Sequence, residues 1–424
     1  MRLSSWIAFF VWILSLAAAV ITGRDLFYNT FYLVTLVLIG SWLWARQNIR
    51  NLEIRRRVRP PRSQVGKFIE ESFEVVNRSW MSKLWLEILD QSDLPGHHVS
   101  RVLVSLKRNK PVTWNVKTPC FQRGRYHLGP ILLRSGDPLG IFEITRQIPQ
   151  ERYILIHPAT YDIPGFHLPP GRTPGGRISH YRTHYLTTNV ATVRDYVPGD
   201  SFNRIHWPST ARTGRLIVKE FELDPTSDIW LLLDLDADWH VSQPWEAPDM
   251  ASQPVVLQRY YKKEPPLVPG TLEYATAAAA SIAQRYLAER RAVGLITYSP
   301  HRQVLQIERS HRQFSKILET LAVVTPSHSL PLERILSAEG PAMTRTTTLV
   351  VITPSANNAW VSVLRDYRQR GILSTVVLVA ASTFGPLPSY RPVLSELWAG
   401  QTPTYLLRRG VSLSTSLSRL APPE

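Results

Sequence analysis

Two long apolar runs at the start of the chain constrain its fold more than any other feature. Residues 6–22 (WIAFFVWILSLAAAVIT) and 26–44 (LFYNTFYLVTLVLIGSWLW) contain no charged side chain, and only three residues separate them. A helix that crosses a bilayer needs roughly 17–25 mostly apolar residues, and both runs reach that length. Because the connection is so short, the two helices must be antiparallel neighbours. The sequence therefore predicts a transmembrane helical hairpin over residues 1–50.

The first run has two other interpretations, a cleaved signal peptide and a buried helix of a soluble domain. A signal peptide begins with a strongly basic segment, which is missing here, and a second apolar run follows at once. A buried helix is the weaker alternative, because neither run carries enough polar residues to face water. The hairpin remains the better explanation of both runs.

Basic residues crowd the end of the second run and predict its orientation. The seven arginines, against the single acid Glu53, are Arg46, Arg50, Arg55, Arg56, Arg57, Arg59 and Arg62. Because Lys and Arg beside a spanning helix stay in the cytoplasm, both termini and the soluble domains are predicted to be cytoplasmic. The single cysteine, Cys120, fits a reducing compartment and excludes an intrachain disulfide framework.

Short alternating runs dominate residues 51–160. The clearest are residues 68–76, 84–89, 101–106, 112–116 and 153–157. Period-two alternation with turn residues between the runs is typical of half-buried strands, so an immunoglobulin-like β-sandwich with a structural role is expected. Residues 161–225 follow as a basic linker that ends in a charged segment. The Gly- and Pro-rich connector at about 159–190 is predicted to be an exposed loop.

Apolar strands alternate with helices over residues 226–410. Strands are predicted at 228–235, 292–298, 303–307, 347–352 and 375–379, and helices at 271–290, 314–321 and 359–369. This alternation indicates βαβ units and a mostly parallel, Rossmann-like α/β sheet. Ligands of such sheets bind at the carboxyl ends of the strands. The Pro-rich stretch 241–269 is predicted to be a mobile insertion, and residues 411–424 a flexible tail.

Charged and aromatic residues are concentrated in the segment 191–222, for which a helix over 201–211 and a strand over 216–221 are predicted. The residues of interest are Arg194, Asp195, Tyr196, Pro198, Gly199, Asp200, Arg204, His206, Trp207, Arg212 and Glu220. Interleaved opposite charges favour an ionic network that clamps domains together. The alternative is a ligand site for a phosphate or for a partner's carboxylate. His206 lacks a neighbouring nucleophile, so it is not expected to be catalytic.

The same segment resembles the signature of the family called domain of unknown function 58, although Thr210 stands where that family commonly has Ser. The stretches 123–130 (RGRYHLGP) and 137–142 (DPLGIF) are similar as well. The resemblance implies a multi-pass protein of a bacterial-type inner membrane with a C-terminal von Willebrand factor A-like domain. It further implies a MoxR-type AAA+ ATPase as partner and a role in maturing or regulating other protein complexes.

Three acids follow the first strand of the C-terminal region, namely Asp234, Asp236 and Asp238. Alternating residues of an extended turn point the same way, so three carboxylates there could bind Mg²⁺ or Ca²⁺. The position resembles the Asp-x-Ser-x-Ser metal-ion-dependent adhesion site of von Willebrand A domains. Thr325 is the candidate for its loop threonine, whereas the stretch after Ile352 lacks the usual Asp. The alternative is a degenerate site whose acids are solvated or paired with arginines.

Standard catalytic signatures are missing from the sequence, including GxxxxGK[ST], GxGxxG, HExxH and GxSxG. We therefore expect a non-catalytic, membrane-anchored binding or scaffold protein whose partners are the lipid bilayer, an AAA+ ATPase and client proteins. The alternative is a metal-dependent hydrolase that uses Asp234, Asp236 and Asp238, with His206 as base. The net charge of +16 first suggests nucleic acid. No aromatic–basic groove motif supports that partner, and none is expected.

Overall fold

The computed structural model describes residues 3–97, 99–169, 190–197, 202, 205–221, 228–247, 265–327 and 330–422. It begins with two helices, α1 (Leu3–Thr22) and α2 (Asp25–Asn48). Both are long and apolar enough to cross a membrane, and most of their apolar side chains are exposed. They pack against each other, and the Trp12 indole donates a hydrogen bond of 2.9 Å to the Thr35 hydroxyl. The predicted pair of apolar helices is confirmed.

The end of α2 is fixed directly to the β-rich region that follows. The buried Asn48 amide donates to the Trp85 carbonyl at 3.1 Å and to the Ser135 hydroxyl at 2.6 Å. The Lys83 ammonium, also buried, donates to the Gln47 carbonyl at 2.5 Å. Carbonyls in the last turn of a helix lack partners within the helix, and a basic side chain is a suitable donor to them. Burial lowers the pKa of Lys83 to about 8.

Ten strands follow in residues 52–157. They are β1 (Leu52–Arg59), β2 (Arg62–Gln64), β3 (Phe68–Asn77), β4 (Lys83–Asp90), β5 (Arg101–Leu106), β6 (Pro111–Pro119), β7 (Gly124–Leu128), β8 (Ile131–Gly136), β9 (Glu143–Ile148) and β10 (Arg152–His157). The sheets β1-β3-β6 and β5-β4-β8-β9 share a core that includes Phe73, Leu86 and Leu133. A small sheet, β2-β10-β7, adjoins them with its own apolar cluster. The prediction of a sheet-rich middle region is confirmed.

The arginines predicted to lie just past the membrane belong largely to β1. Apolar residues at 52, 54 and 58 of this strand face the two cores, and Arg56 occupies the intervening inward position. Its guanidinium pairs with Glu71 at 2.7 Å and with Asp90 at 2.9 Å, and these side chains are at most 2% exposed. The Nε2–H of His97 donates a hydrogen bond of 2.8 Å to the Asp90 carboxylate. Arg56 is therefore part of a buried ion cluster, because a buried charge must be paired.

From residue 190 onward, the described residues form a small β-hairpin with a helix. Its elements are β11 (Val190–Asp195), α3 (Trp207–Thr213) and β12 (Ile217–Phe221), and β11 pairs antiparallel with β12. The helix begins six residues later than the predicted Ser201. Pro208 stands at its first turn, where a missing N–H costs nothing. Gly214 ends the helix with a φ of 69°, in the left-handed region that glycine adopts freely.

The C-terminal region is an α/β unit. Its elements are β13 (Asp228–Leu233), α4 (Thr271–Ala288), β14 (Val293–Tyr298), β15 (Arg302–Glu308), α5 (His311–Val323), α6 (Leu332–Glu339), β16 (Thr347–Thr353), α7 (Ala359–Gln369), β17 (Leu373–Val379), α8 (Arg391–Ala399), β18 (Thr404–Leu407) and α9 (Leu413–Ser418). The strand order is β15-β14-β13-β16-β17-β18, parallel except for β15. Helices α4, α5 and α9 pack on one face of the sheet, and α6, α7 and α8 on the other. The predicted alternation of strands and helices is confirmed.

Two predictions about connecting segments are wrong for the described residues. The connector is not an exposed loop before residue 170, because Ile163 and Phe166 are buried in the α/β core. The ring of Phe166 lies 4.5 Å from that of Tyr405. The tail is not frayed either, because Leu413 and Leu417 lie one helical turn apart in α9 and are both buried. Single apolar residues within Pro- or Ser-rich stretches formed too short a pattern to be recognised.

Candidate binding site at the switch point of the α/β sheet

The site is built where the connections of the sheet diverge. From β13 the chain crosses one face of the sheet to β14, whereas from β16 it crosses the other face to β17. The carboxyl ends of β13 and β16 therefore form the switch point of the sheet, which is where open α/β sheets bind ligands. Asp234 follows β13 and Thr353 ends β16, so both residues lie at this point.

Asp234 is completely buried. Its carboxylate accepts hydrogen bonds from the Thr353 hydroxyl at 2.6 Å and from the Asp236 amide at 3.1 Å. Burial raises the pKa of Asp234 to about 6, although these two hydrogen bonds act in the opposite direction. Asp234 is therefore a carboxyl group that changes charge near neutral pH, because a buried carboxylate without a full countercharge is unfavourable.

The structure does not gather the three acids after β13 into a cluster. A short 3₁₀ turn over Ala237–Trp239 replaces the expected extended turn, and it leaves Asp238 exposed. Asp236 instead accepts a hydrogen bond of 3.2 Å from the Asp238 amide and so caps this turn. Within the described ranges, no group of three or more His, Cys, Asp or Glu side chains is arranged to hold a metal ion. The donor set therefore does not match a three-carboxylate site for a hard cation.

Hydroxyl groups lie near Asp234 at this edge of the sheet. The Thr353 hydroxyl accepts from the Ser355 amide at 2.9 Å, and both side chains are buried. Ser299 follows the neighbouring strand β14, and its hydroxyl donates to the Thr325 carbonyl at 2.7 Å. Thr325, the predicted loop threonine, is thereby held beside the carboxyl end of β14, and it is exposed. The edge thus combines one buried carboxylate with neutral hydroxyls.

His240 belongs to the same site and was not predicted. Its Nε2 lies 2.9 Å from the Asp234 carbonyl oxygen, and its Nδ1 lies 3.0 Å from the Thr271 hydroxyl at the start of α4. Burial lowers the pKa of His240 to about 4, so the ring is neutral at pH 7, and its Nε2–H donates to the carbonyl. The ring thus links the loop after β13 to α4. A lone histidine six residues after Asp234 carries no sequence pattern that would reveal this role.

The charged segment is only partly covered by the structure. Pro198, Gly199, Asp200 and Arg204 lie outside the described residues, as does the side chain of Glu220. His206 precedes α3, and its Nδ1 lies 2.7 Å from the Ser209 hydroxyl. Trp207 and Arg212 are exposed on α3.

The strands of this segment are joined through their backbones. β11 and β12 pair antiparallel, and just beyond them the Tyr196 amide donates to the Leu216 carbonyl at 2.8 Å. The guanidinium of Arg194 donates to the carbonyl of its own neighbour Asp195 at 3.1 Å. The hairpin is therefore held by its backbone, and it displays Trp207 and Arg212.

Arg123 connects the β-rich region to the α/β unit. It precedes β7, and its guanidinium donates to the carbonyls of Leu321 at 2.8 Å and Val324 at 3.0 Å, at the end of α5. It also donates to the Thr276 hydroxyl at 2.9 Å and forms an ion pair with Glu273, both on α4. Burial raises the pKa of Glu273, which the charge of Arg123 opposes. Through Arg123, the stretch 123–130, which resembles part of the family pattern, therefore joins the two regions.

The stretch predicted to be a mobile insertion is fixed at its two ends. The Gln243 amide donates to the Phe384 carbonyl at 2.9 Å, and the ring of Trp245 lies 5.6 Å from that of Phe121 in the β-rich region. On the returning side, the Tyr161 hydroxyl donates to the Pro265 carbonyl at 2.7 Å. Residues 248–264 lie outside the described part of the chain. The ends of this stretch thus lie between the two regions, close to the site.

Comparisons with known proteins agree with the signature segment. A family model described as "Protein of unknown function DUF58" matches residues 192–246, which extend from β11 through the Asp234 loop. The chain is 23% identical over 236 residues to "Uncharacterized protein YeaD" of Bacillus subtilis (strain 168). That match covers 54% of this chain and 50% of the relative, so the chain spans about half the length of the curated relative it matches.

A solved structure is also similar over part of the chain, namely the Pseudomonas fluorescens alkylpurine DNA glycosylase AlkC bound to DNA containing an abasic site analog. It shares 13% identity, covers 30% of this chain and 41% of its own, and has a TM-score of 0.16. So low a score carries no information on fold or function. The family-model match overlaps the motif in residues 194–222, and with the distant relative it agrees with the resemblance of this segment to that family.

Proposed function

We propose that this protein is a membrane-anchored, non-catalytic binding protein that receives a protein partner at the switch point of its α/β sheet. The observation that supports this most is the environment of Asp234, a completely buried carboxyl group at the carboxyl ends of β13 and β16. Its raised pKa of about 6 indicates that its charge is incompletely compensated within the chain. A cationic side chain of a partner would supply the missing countercharge once the residues that cover Asp234 move aside on binding.

The α/β unit is interpreted as von Willebrand factor A-like, and the β-rich region as immunoglobulin-like. In support of the first, Asp234 stands at the carboxyl end of the first strand of the sheet, where the adhesion-site sequence of that fold begins. In support of the second, two antiparallel sheets pack face to face around one core. Such a combination provides binding surfaces rather than a preassembled set of catalytic groups.

The hairpin of α1 and α2 is proposed to anchor the protein in a cell inner membrane, with both soluble regions in the cytoplasm. The exposed apolar side chains of the two helices support insertion. The arginines at the end of α2 and the single, buried Cys120 support the orientation. The partner is proposed to be a MoxR-type AAA+ ATPase, which acts with this protein on client complexes; this step rests on the family resemblance.

Affinity purification from detergent-solubilised membranes tests this function. The native chain is compared with Asp234→Asn, which keeps the size of the side chain but removes its charge, and with the matched control Asp366→Asn on the exposed side of α7. We expect the native chain and the control to recover an AAA+ ATPase and Asp234→Asn to recover little. Failure to recover an AAA+ ATPase with any variant contradicts the partner. Equal recovery with Asp234→Asn contradicts the site.

A metal-dependent hydrolase is the alternative function, and the raised pKa of Asp234 is the observation in its favour, because perturbed carboxyl groups are common in active sites. The turn that separates Asp238 from Asp234 speaks against it. His206, the proposed base, faces Ser209 in its own helical turn. Mg²⁺-dependent hydrolysis of p-nitrophenyl phosphate that is lost in Asp234→Asn would favour this alternative. Mg²⁺ dependence of the partner recovery alone would favour metal-assisted binding.

A further inference from the structure

Four turns meet at the end of the β-rich region that carries α2. They are residues 50–51, 78–82, 107–110 and 137–142, and together they are called the proximal rim. The Arg78 amide donates to the Asn51 carbonyl at 2.8 Å, and the Asn109 amide donates to the Asn77 carbonyl at 2.8 Å. The Asn77 side chain bonds the carbonyls of Met81 at 2.8 Å and Leu106 at 3.0 Å. These bonds bring the first three turns, which are distant in sequence, to one edge, and the antiparallel pairing of β4 with β8 places the fourth beside them.

The helices lie directly on this rim. Lys83, just after the second turn, donates to the Gln47 carbonyl in the last turn of α2. At the start of α1, the Ser5 hydroxyl donates to the Ile141 carbonyl at 2.5 Å. A cleft of about 380 Å³ between the hairpin and the rim is lined by Phe9, Trp12 and Phe142, among others. The rim therefore lies at the level where the proposed hairpin would enter the bilayer.

Positive charge and apolar side chains are combined on the rim. Its basic residues, all exposed, are Arg50, Arg78, Lys107, Arg108 and Lys110, and its single acid is Asp137. Arg78 is paired at 3.1 Å with Glu53, just outside the rim, so the other four supply its positive charge. Asp137 is buried, and its carboxylate accepts from the amides of Leu139 and Phe142, so it does not face outward. Trp80 is 74% exposed and Leu139 is 62% exposed at the tips of their turns. Lys and Arg suit anionic headgroups, and Trp suits the headgroup layer.

The arginines at the end of β1 and beyond it are poorly placed for the same task. A strand rises about 3.3 Å per residue, so β1 carries Arg59 roughly 23 Å from Leu52, towards the far end of the sandwich. Arg62, beyond it, forms an ion pair with Glu319 of the α/β unit. Surface charges are screened over roughly 8–10 Å at physiological ionic strength. These arginines are thus outside the reach of the headgroups, and the basic residues of the rim turns take their place.

We propose that the proximal rim is a docking surface for an anionic bilayer, with Trp80 and Leu139 in the headgroup layer and Arg50, Lys107, Arg108 and Lys110 on lipid phosphates. This proposal rests on the membrane anchoring given above as the proposed function. The rim adds a second contact to the hairpin, because it lies against both of its helices. As a consequence, the β-rich region is held at a fixed distance from the membrane. The tilt of this region relative to the membrane then depends on the lipid charge.

The test uses the full-length protein in nanodiscs, labelled at single introduced cysteines with an environment-sensitive fluorophore. Native Cys120 is buried, and burial raises the pKa of its thiol to about 11, so the unsubstituted chain serves as the labelling blank. Leu139→Cys reports on the rim, Leu33→Cys on α2, and Leu420→Cys, 55% exposed on the α/β unit, is the matched control. We expect a blue shift at positions 33 and 139 relative to position 420.

Lipid charge supplies the second arm. In phosphatidylglycerol nanodiscs the probe at position 139 is expected to be shifted further to the blue than in phosphatidylcholine nanodiscs. The triple variant Lys107→Gln, Arg108→Gln, Lys110→Gln should lose this difference. The charge-matched control Arg312→Gln, Arg345→Gln, Arg419→Gln, whose residues are exposed on the α/β unit, should keep it.

The outcomes separate the two proposals. If position 33 is in lipid while position 139 is as exposed to water as position 420, the anchor stands and the rim proposal is overturned. If position 33 is itself in water, the membrane anchor fails and the rim proposal fails with it. If both positions are in lipid but the triple variant behaves as the native chain, recognition of anionic headgroups by the basic residues is refuted.

Discussion

The hydroxyl of Thr353 donates a hydrogen bond of 2.6 Å to the carboxylate of Asp234, and so joins β16 to the residue that follows β13. The two residues are 119 positions apart in the chain and become neighbours because β13 and β16 are adjacent parallel strands. The bond partly compensates a carboxyl group that is completely buried. Its strength therefore bears on the stability of the sheet and on the charge at the candidate site.

Thr353→Val should destabilise the protein by about 1–3 kcal/mol, because it keeps the side-chain shape but leaves a buried oxygen of Asp234 without its hydroxyl donor. Thermal unfolding of the purified full chain measures the change. The control is Thr415→Val, at an exposed position of α9. An unfolding temperature for Thr353→Val equal to that of the control would show that the bond contributes little.

The titrations of Asp234 and His240 should change the stability of the protein with pH in opposite directions. The pKa of Asp234 is raised to about 6, so the stability that its bound proton provides is lost as the pH rises from about 4 to 6. The pKa of His240 is lowered to about 4, so the stability of its neutral form is lost as the pH falls from about 6.5 to 4. Each shift of about two units corresponds to roughly 3 kcal/mol. In the native protein the two effects nearly cancel.

Single variants should reveal each effect in the unfolding temperature measured between pH 6 and pH 4. Asp234→Asn leaves His240 alone, so its unfolding temperature should fall more steeply than that of the native chain as the solution is acidified. His240→Gln leaves Asp234 alone, so its unfolding temperature should rise relative to the native chain. Asp366→Asn, at an exposed site, should follow the native chain. Parallel curves for all four proteins would contradict the assigned shifts.

Arg123→Ala should weaken the connection between the β-rich region and the α/β unit. The change leaves Glu273, whose side chain is 13% exposed, without its cation. It also leaves the carbonyls of Leu321 and Val324, at the end of α5, without the guanidinium as donor. Breaking such a buried pair costs about 3–5 kcal/mol. Limited proteolysis of the native and variant chains should show faster cleavage in the variant. Arg125→Ala, two residues further on and exposed, is the control. Equal cleavage rates for the two variants would refute this role.

Arg56→Lys should destabilise the β-rich region even though it keeps the charge, because one ammonium cannot reproduce the planar contacts to Glu71 and Asp90. Arg57→Lys, the exposed neighbour in β1, should have little effect. Differential scanning calorimetry compares the unfolding temperatures of the two variants directly. If Arg57→Lys lowers the unfolding temperature as much as Arg56→Lys, the buried cluster is not the cause.

Elements with a strong local pattern could be predicted from the sequence. The helix Ala359–Gln369 and the strand Arg101–Leu106 have the bounds that the pattern predicts. The strand β1 was missed, because its arginines suggested a membrane boundary and Arg56 interrupts the alternation of apolar residues. The helix α9 was missed because two leucines in a serine-rich tail are too few to define a period.

Like the fold, the candidate site could be predicted from the sequence only in part. The acids after β13 and their place at the carboxyl end of a strand follow from the sequence alone. The expected convergence of Asp238 with Asp234 does not follow, because a 3₁₀ turn decides where each side chain points. Thr353 lies in the stretch that lacks the usual Asp of the adhesion site, and His240 belongs to no motif, so their contacts with Asp234 become visible only in the folded chain.

By itself, the sequence determined the two apolar helices, the alternation of strands and helices, and the family signature, because each depends on residues close together along the chain. The tertiary structure decided which charges are buried and which face outward. Arg56 enters a core, Arg123 joins two regions, and Lys107 reaches the rim beside α2. The physical reason is that the free energy of a charge depends on its surroundings, and strand order brings those surroundings together from distant parts of the chain.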